Sequence, residues 1–524
     1  MKKLIKYTLA SVLAISLANC TDNFEKINTN PAGISNESLT QMNNHIGGAF
    51  EPMFLNVFNV TPAWNFQLQQ NLIGDVYSGY MTPPTPFAGN VNNMTYSLVN
   101  GWNGFPWGDA YGSVMPFALD VKNAIALDGD ASGEKFVHLA NIIRVTAMHR
   151  VSDIYGPIRY SKFDDFATTG EYDSQQVAYE TFFAELGDAI DFLEDYTTDE
   201  QFVPFDLSSL KGDIAQWRMF ANSLRLRLAM RVVNVAPAMA KTQGELSLAS
   251  NAGLLESDMI INTGFAHPLT VISGSWGDIR MGAEMESILT GYNDGRIEKY
   301  FNPAEDATLN GAYKGIRMGI EIEAKGQYGA HSAIGEVVAG ETMQWMTVAE
   351  VKFLQAEAAL RGWTGAGTAK THYEAGVTAS FNQHGVANVA TYLADNTSTP
   401  ADFVDAINSA NNIAYPSDVK IAYDESGSNE QQLEQIITQK WIAMFPDGQE
   451  AWSEFRRTGY PRVYPVVVNN SGGTIDTNIQ IRRINFVENE LNTNGANVTT
   501  AIGYLNGPDN GGTRLWWDVA GSNF

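Results

Sequence analysis

The residues that could perform chemistry in this chain are few, and none of them completes a catalytic motif. The seven histidines form no H-E-x-x-H motif and show no metal-ligand spacing. His138 and His149 stand eleven residues apart on one predicted helix, where histidines are more often core or surface residues. There is no G-x-S-x-G motif, and the only cysteine is Cys20. The sequence therefore predicts no catalytic residue, no metal site and no cofactor.

Two glycine-rich segments resemble ligand loops only in part. Residues 365–371 (GAGTAKT) lack the glycine that precedes the lysine of a phosphate loop, and they join two predicted helices. Residues 128–133 (DGDASG) begin like a calcium loop, but the twelfth position is Leu139, where a bidentate glutamate is needed. We interpret both segments as turns between helices.

Charged side chains leave two interpretations open. Paired carboxylates could hydrolyse glycosides, but such a pair is recognised by its separation in space, and no two acids stand out here. Arg225, Arg227 and Arg231 fall within one predicted helix. They could form an anion site, but in a chain this acidic the preferred interpretation is that they neutralise buried acids.

Cys20 predicts a lipid anchor. It follows a leader with three lysines among its first six residues and an apolar run over residues 7–18, which is too short to span a bilayer. A cysteine at this junction is typical of bacterial lipoproteins, in which acyl chains hold the mature N-terminus on a membrane. The preceding residue is Asn19, where a small residue is usual, so an ordinary signal peptide is the alternative.

Composition bounds the domain organisation and the partners. With 58 acidic and 33 basic residues the net charge is −25, which argues against nucleic acid because phosphate must be neutralised by Lys and Arg. No Pro/Ser-rich linker divides the 524 residues. We expect a signal peptide over residues 1–19, a lipidated tether over 20–40 and a single α-helical domain over 41–524.

Apolar stripes at helical spacing predict the elements that must position any site. The clearest helix opens at Asp213 with Gln216 as a capping pair, and another ends at Gly362. Further stripes lie at Val137–Val151, Phe182–Leu193, Tyr373–His384 and Leu433–Met444. Their pairing hints at a tetratricopeptide-type repeat, although no clean repeat is present. Long aperiodic segments, which are usually functional, fill residues 75–110, 250–345, 385–430 and 460–524.

Short motifs also occur in a specific order along the whole chain. They are residues 24–31 (FEKINTNP), 107–111 (WGDAY), 152–160 (SDIYGPIRY), 217–227 (WRMFANSLRLR), 294–296 (DGR), 346–359 (MTVAEVKFLQAEAA), 439–441 (QKW), 451–461 (AWSEFRRTGYP), 482–484 (RRI) and 516–518 (WWD). On these motifs the chain resembles the SusD/RagB family, in its SusD-like branch of starch-binding outer-membrane lipoproteins. It departs from the family pattern at Arg159 and Gly295, where proline is usual. The resemblance implies a mainly α, tetratricopeptide-like helical-repeat scaffold with long irregular loop insertions.

The resemblance also implies a function. Such proteins are lipid-anchored at the outer membrane, face outside and capture nutrients, usually oligosaccharides. They deliver them without chemical change to a SusC-like TonB-dependent transporter, so the protein is not expected to be an enzyme. A peptide ligand is the alternative within the family, and a surface glycoside hydrolase is the alternative of a different class.

Sugar recognition needs aromatic faces flanked by planar polar groups, so ligand contacts are expected in the aperiodic segments. Trp276, Asp278 and Arg280 in the segment SGSWGDIR form the best cluster, although Trp276 could equally pack in the core. Further candidates are Trp64, Trp102, Tyr313 and Arg317. In contrast, Trp107, Trp217, Trp441 and Trp452 stand in motifs or helical stripes and are expected in the core.

Overall fold

The structure, a computed structural model, describes residues 44–128, 133–163 and 169–524. Cys20, the predicted leader and the predicted tether lie outside the described residues. Residues 129–132 of the calcium-like segment also lie outside them.

Nine helices of eleven residues or more form the scaffold within the described residues. They are α1 Met115–Asp128, α2 Glu134–Tyr155, α3 Gln175–Phe192, α4 Ile214–Arg231, α5 Pro237–Ala249, α6 Val348–Leu360, α7 Ala369–Gln383, α8 Asn429–Met444 and α9 Gly448–Thr458. Each of α1 to α4 packs against the next, α4 packs on α5 and α6, and α6, α7 and α8 pack on one another. The predicted mainly α, tetratricopeptide-like scaffold is therefore confirmed.

Short elements occupy the connecting segments. The short α-helices are Asn44–Gly47, Phe50–Val57, Ala63–Phe66, Asn100–Asn103, Phe105–Ser113, Ala283–Gly291, Ile297–Tyr300, Val389–Leu393, Glu488–Thr493 and Gly495–Ile502. Two π-helical segments are Gln67–Asp75 and Thr270–Ser275. Single 3₁₀ turns are Phe87–Asn90, Asn93–Thr95, Leu193–Asp195, Val203–Phe205, Ala307–Leu309, Lys325–Gln327, Glu336–Val338 and Ser409–Asn411. These elements are too short to show a stripe of their own, which is why the sequence presents aperiodic segments here.

Four short strands form two antiparallel pairs. They are β1 Met81–Thr82, β2 Met259–Asn262, β3 Arg280–Met281 and β4 Thr342–Met346. β1 pairs with β3, with Met81 opposite Met281, and β2 pairs with β4. The β1–β3 pair joins two segments that are about 200 residues apart in sequence.

Local sequence explains where the long helices begin and end. At the start of α4 the Asp213 side chain accepts a hydrogen bond from the Gln216 N–H at 3.1 Å, so the predicted cap is confirmed. α6 ends at Leu360, and Gly362 follows with a φ of 68°, a conformation that favours glycine.

Buried ion pairs join the scaffold helices. Arg227 on α4 pairs with Glu350 on α6 at 2.6 Å, and Arg231 pairs with Glu454 on α9 at 2.6 Å. These side chains are at most 3% exposed. Arg227 and Arg231 therefore neutralise buried acids from neighbouring helices, as the sequence predicts, whereas Arg225 donates to Gln243 Oε1 at 2.7 Å and has no acid partner among the described residues. Removing one partner of a buried ion pair lowers the stability of a protein by about 3–5 kcal/mol. These pairs therefore also determine which helices pack together.

Candidate ligand-binding surface

The predicted cluster around Trp276 lies where a π-helical segment meets the β1–β3 pair. The segment Thr270–Ser275 ends directly before Trp276, and Gly277 reverses the chain with a φ of 64°. β3 then begins at Arg280, two residues after Asp278. Since β3 pairs with β1, the loop that carries Trp276 lies beside the loop that follows β1.

Trp276 lies outside the hydrophobic core, because its side chain is 38% exposed. Polar groups surround it. Lys325 Nζ donates to the Trp276 carbonyl oxygen at 2.5 Å and to Asp278 Oδ1 at 2.7 Å. Thr85 Oγ1 donates to the same Asp278 oxygen at 2.9 Å. Asp278 Oδ2 takes no hydrogen bond from the described residues and so remains an acceptor, two positions along the chain from the exposed Trp276.

Arg280 lies below this loop, and its hydrogen bonds are structural. It is 8% exposed and donates to the backbone oxygens of Gly329 at 2.8 Å, Ser273 at 3.0 Å and Ile279 at 2.7 Å. These bonds hold the loop of Trp276 against the segment around Gly329. Ligand contact by Arg280 stays a prediction. In the structure its side chain supports the loop of Trp276.

The loop after β1 extends the surface to a second aromatic pair. Thr85 reaches Asp278, and two residues further along, the half-buried Phe87 packs edge-to-face on Trp102, with ring centroids 5.8 Å apart. Asn90 Nδ2 donates to the Ile322 carbonyl oxygen at 2.9 Å, which ties this loop to the segment that leads to Lys325. These contacts connect the loop of Trp276, through Thr85 and Phe87, with Trp102, which like Phe87 is half-buried and packs on the main core.

The other predicted residues are placed differently. Arg317 is 8% exposed, bonds the backbone oxygens of Asn411 and Pro465, and lines a small pit of about 20 Å³ behind the loop of Thr85. Trp64 is 49% exposed but packs on Phe105, and Tyr313 packs on the main core. In the described part of the chain, neither makes a hydrogen bond or ring contact with the Trp276 loop.

Sequence reasoning missed three residues of this surface: Thr85, Phe87 and Lys325. Residues 83–87 (PPTPF) carried a usable signal, since three prolines stiffen a loop beside an aromatic residue. Lys325 carried none, because its contacts with Trp276 and Asp278 span almost 50 residues of irregular chain.

A buried carboxyl lies next to the strands that support this surface. Glu284 lies three residues after the end of β3, in the first turn of the helix Ala283–Gly291, is 2% exposed and lies against Gly79, which precedes β1. Its Oε1 accepts a hydrogen bond from the Tyr464 N–H at 2.9 Å, while its Oε2 has no partner among the described residues. Burial raises the pKa of Glu284 to about 7, and no lysine or arginine of the described residues forms an ion pair with it.

Other parts of the molecule bear on its chemistry. A cavity of about 530 Å³ is lined by His267, His384, Asp258 and Gln344 among others. It shares no lining residue with the surface around Trp276.

Within residues 44–128, 133–163 and 169–524, no three His, Cys, Asp or Glu side chains are grouped so as to hold a metal ion. No helix in these ranges has the length and apolar character needed to cross a membrane.

Comparisons with known proteins agree with one another. The family model for SusD-like proteins, described as Susd and RagB outer membrane lipoprotein, matches residues 26–518. A chitin-binding SusD homolog from Flavobacterium johnsoniae is 46% identical, with a TM-score of 0.88 over 92% of this chain and 100% of that one. A SusD homolog from Bacteroides vulgatus is 35% identical, with a TM-score of 0.85 over 92% and 99% of the two chains. No curated protein matches the chain.

Proposed function

The chain belongs to the SusD/RagB family of outer-membrane lipoproteins, and from that premise we propose that it captures oligosaccharides and delivers them to a SusC-like TonB-dependent transporter. Capture takes place on the surface formed by Phe87, Trp102, Trp276, Asp278 and Lys325, here called the aromatic surface. The ligand leaves chemically unchanged.

The observation that carries this proposal is the exposed indole of Trp276 beside polar groups that are already held in place. The C–H face of a pyranose ring stacks on an indole, and its hydroxyls need donors and acceptors at the ring edge. Asp278 Oδ2 supplies the acceptor, and the Lys325 ammonium supplies the donor. Since Asp278 accepts two hydrogen bonds, from Thr85 and Lys325, little conformational freedom is lost when a sugar binds.

The 46% identity with a chitin-binding homolog selects the first ligand to test, which is a chito-oligosaccharide. Malto-oligosaccharides and a peptide library form the other arms. Isothermal titration of the purified protein separates these ligands. Saturable binding of peptides but of no glycan would overturn the oligosaccharide proposal in favour of the peptide alternative.

A pair of variants locates the site. Trp276→Ala is expected to weaken glycan binding about tenfold or more, since a central aromatic side chain is commonly worth over 1.4 kcal/mol of binding. Phe192→Ala is the matched control, because Phe192 is 37% exposed and lies on α3. If Trp276→Ala lowers the melting temperature strongly, or leaves the affinity unchanged, Trp276 is not the binding platform.

The absence of catalysis and the transporter partner are tested separately. Prolonged incubation with the bound glycan, followed by mass analysis of the products, is expected to return the glycan intact. Any multiple turnover would favour the glycoside hydrolase alternative. The native lipoprotein, exposed on the outside of the cell, is expected to co-purify with a large outer-membrane β-barrel transporter from the membrane fraction.

A further inference from the structure

A second cavity has the opposite electrostatic character to the chain as a whole. It encloses about 460 Å³ at the end of α9 and shares no lining residue with the aromatic surface. Five arginines line it, namely Arg456, Arg457, Arg462, Arg482 and Arg514, against one carboxylate, Glu430, which accepts hydrogen bonds from Asn523. In a chain with a net charge of −25, this concentration of guanidinium groups needs a physical explanation.

Three of the five arginines have carboxylate partners. Arg457 pairs with Glu357 at 2.7 Å, and Arg482 and Arg514 both pair with Asp518, at 2.6 and 2.5 Å. These pairs account for the charges of Arg457 and Arg482, whereas Arg514 is 29% exposed and donates to Asp518 through Nη1 only, which leaves donors for a ligand.

Arg456 and Arg462 differ, because no carboxylate of the described residues lies within 4.0 Å of either guanidinium. Arg456 is 1% exposed, and it donates to the backbone oxygens of Asp153 at 2.6 Å and Arg482 at 2.9 Å and to Ser453 Oγ at 2.9 Å. Its positive charge is thus buried with Asp153 and Asp518 acting on it only from beyond ion-pair distance, and its guanidinium stacks on the Trp452 ring, 3.5 Å from the centroid. Burial accordingly lowers the pKa of Arg456 to about 9. An anion in the cavity would offset the cost of this burial.

Two of the side chains that line the cavity are held in defined positions. Arg462 is exposed and lies over the ring of Tyr460, 4.7 Å from its centroid. Gln480 also lines the cavity. It is 5% exposed and adopts a φ of 65°, a strained conformation for a non-glycine residue. Its Nε2 donates to the Val463 and Tyr464 carbonyl oxygens at 3.2 and 3.3 Å. Strain of this kind is concentrated at functional sites.

We propose that this cavity is a binding site for a small organic carboxylate, of the size and chemistry of an acidic monosaccharide. Arginine forks match a planar carboxylate in a bidentate manner, and the ring of Tyr460 with the apolar side chain of Val519 covers the body of a small ligand. A volume of about 460 Å³ lies within the range of small-molecule sites. The inference does not depend on glycan capture at the aromatic surface, since no residue is shared.

Calorimetric titration of the full protein with D-glucuronate and D-galacturonate tests the proposal, with D-glucose as the uncharged match and sulfate as an inorganic anion. The uronates are expected to bind saturably and glucose is not. Arg462→Gln and Arg514→Gln should each weaken uronate binding about tenfold or more, because each removes a charge-assisted hydrogen bond. Lys241→Gln, at a 54% exposed side chain outside the cavity, should leave it unchanged.

The two binding surfaces can fail independently. Glycan binding should survive Arg462→Gln, and uronate binding should survive Trp276→Ala. Circular dichroism spectra of the variants confirm that they are folded. Absence of saturable uronate binding, or an affinity unaffected by both arginine substitutions, would overturn the proposal. Sulfate binding as tight as that of the uronates would overturn the assignment of a carboxylate.

Discussion

Replacing Glu284 with glutamine tests whether the carboxyl beside the β1–β3 pair is neutral in the folded protein. Burial raises its pKa from the ordinary 4.5 to about 7, and the hydrogen bond from the Tyr464 N–H does not offset the loss of water. A pKa difference of this size corresponds to about 3 kcal/mol of stability. Glutamine keeps the acceptor for Tyr464 and the volume, but it cannot ionise.

The direction of the pH dependence follows from whether the folded or the unfolded state binds the proton of Glu284 more tightly. Because the folded pKa lies above the unfolded one, the wild type has this contribution in full below pH 4.5. It loses the contribution as the pH rises, since the unfolded chain ionises first, and the loss is complete above pH 7 or so. Glu284→Gln has no such dependence. The free energy of unfolding of the variant, minus that of the wild type, should therefore rise by about 3 kcal/mol across this range.

Urea unfolding at about pH 4, 6 and 8 measures this difference. Comparing the two proteins cancels the titration of every other group, including Asp75, whose pKa burial also raises to about 7. Glu488→Gln, at an exposed carboxyl, controls for the loss of one negative charge. A difference that stays constant with pH, or that falls as the pH rises, would refute the assignment of a neutral Glu284.

Three further outcomes are expected. Glu454→Gln should lower the free energy of unfolding by about 3–5 kcal/mol, because it leaves buried arginines unpaired. Glu425→Gln removes a surface pair and should change the urea midpoint little. Similar urea midpoints for the two variants would contradict this reasoning. Gly448→Ala should lower the melting temperature sharply, since its Cβ would lie 2.3 Å from a backbone atom of the segment Gln67–Asp75, while Gly108→Ala, with nothing within 4 Å, should not. Cys20→Ala should release the protein from the membrane fraction, and retention at the wild-type level would exclude Cys20 as the anchor.

Periodicity identified six of the nine scaffold helices and missed α1, α5 and α9. The stripes of α2, α3, α4, α6, α7 and α8 each recur over several turns, so their spacing alone indicates a helix. α9 was not predicted as a helix, because nine of its eleven residues are Glu, Gln, Arg, Ser, Thr, Gly or Ala, and all eleven are buried. Its charged side chains are internal because they form ion pairs with other helices or, for Arg456, hydrogen bonds to backbone oxygens. No spacing rule recognises such a helix.

The candidate site was predictable only where one short segment contains it. Trp276 and Asp278 lie close together in sequence, and an aromatic residue beside an acid in an irregular segment is a recognisable signal. Lys325 and Thr85 meet Asp278 from segments 47 and 193 residues away. Such contacts depend on the β1–β3 pairing, and two-residue strands leave no pattern in the sequence.

The amino-acid sequence by itself determined the helical scaffold, the absence of recognisable catalytic motifs and the resemblance to one family, because each is written in local spacing and in the order of short motifs. Only the tertiary structure decided that Trp276 is exposed while Arg280 and Arg317 are buried, and that two of the five arginines lining one cavity form no ion pair with the described residues. The physical reason is that burial and charge compensation are properties of the neighbours in space. Those neighbours come from segments whose sequence separation exceeds any local pattern.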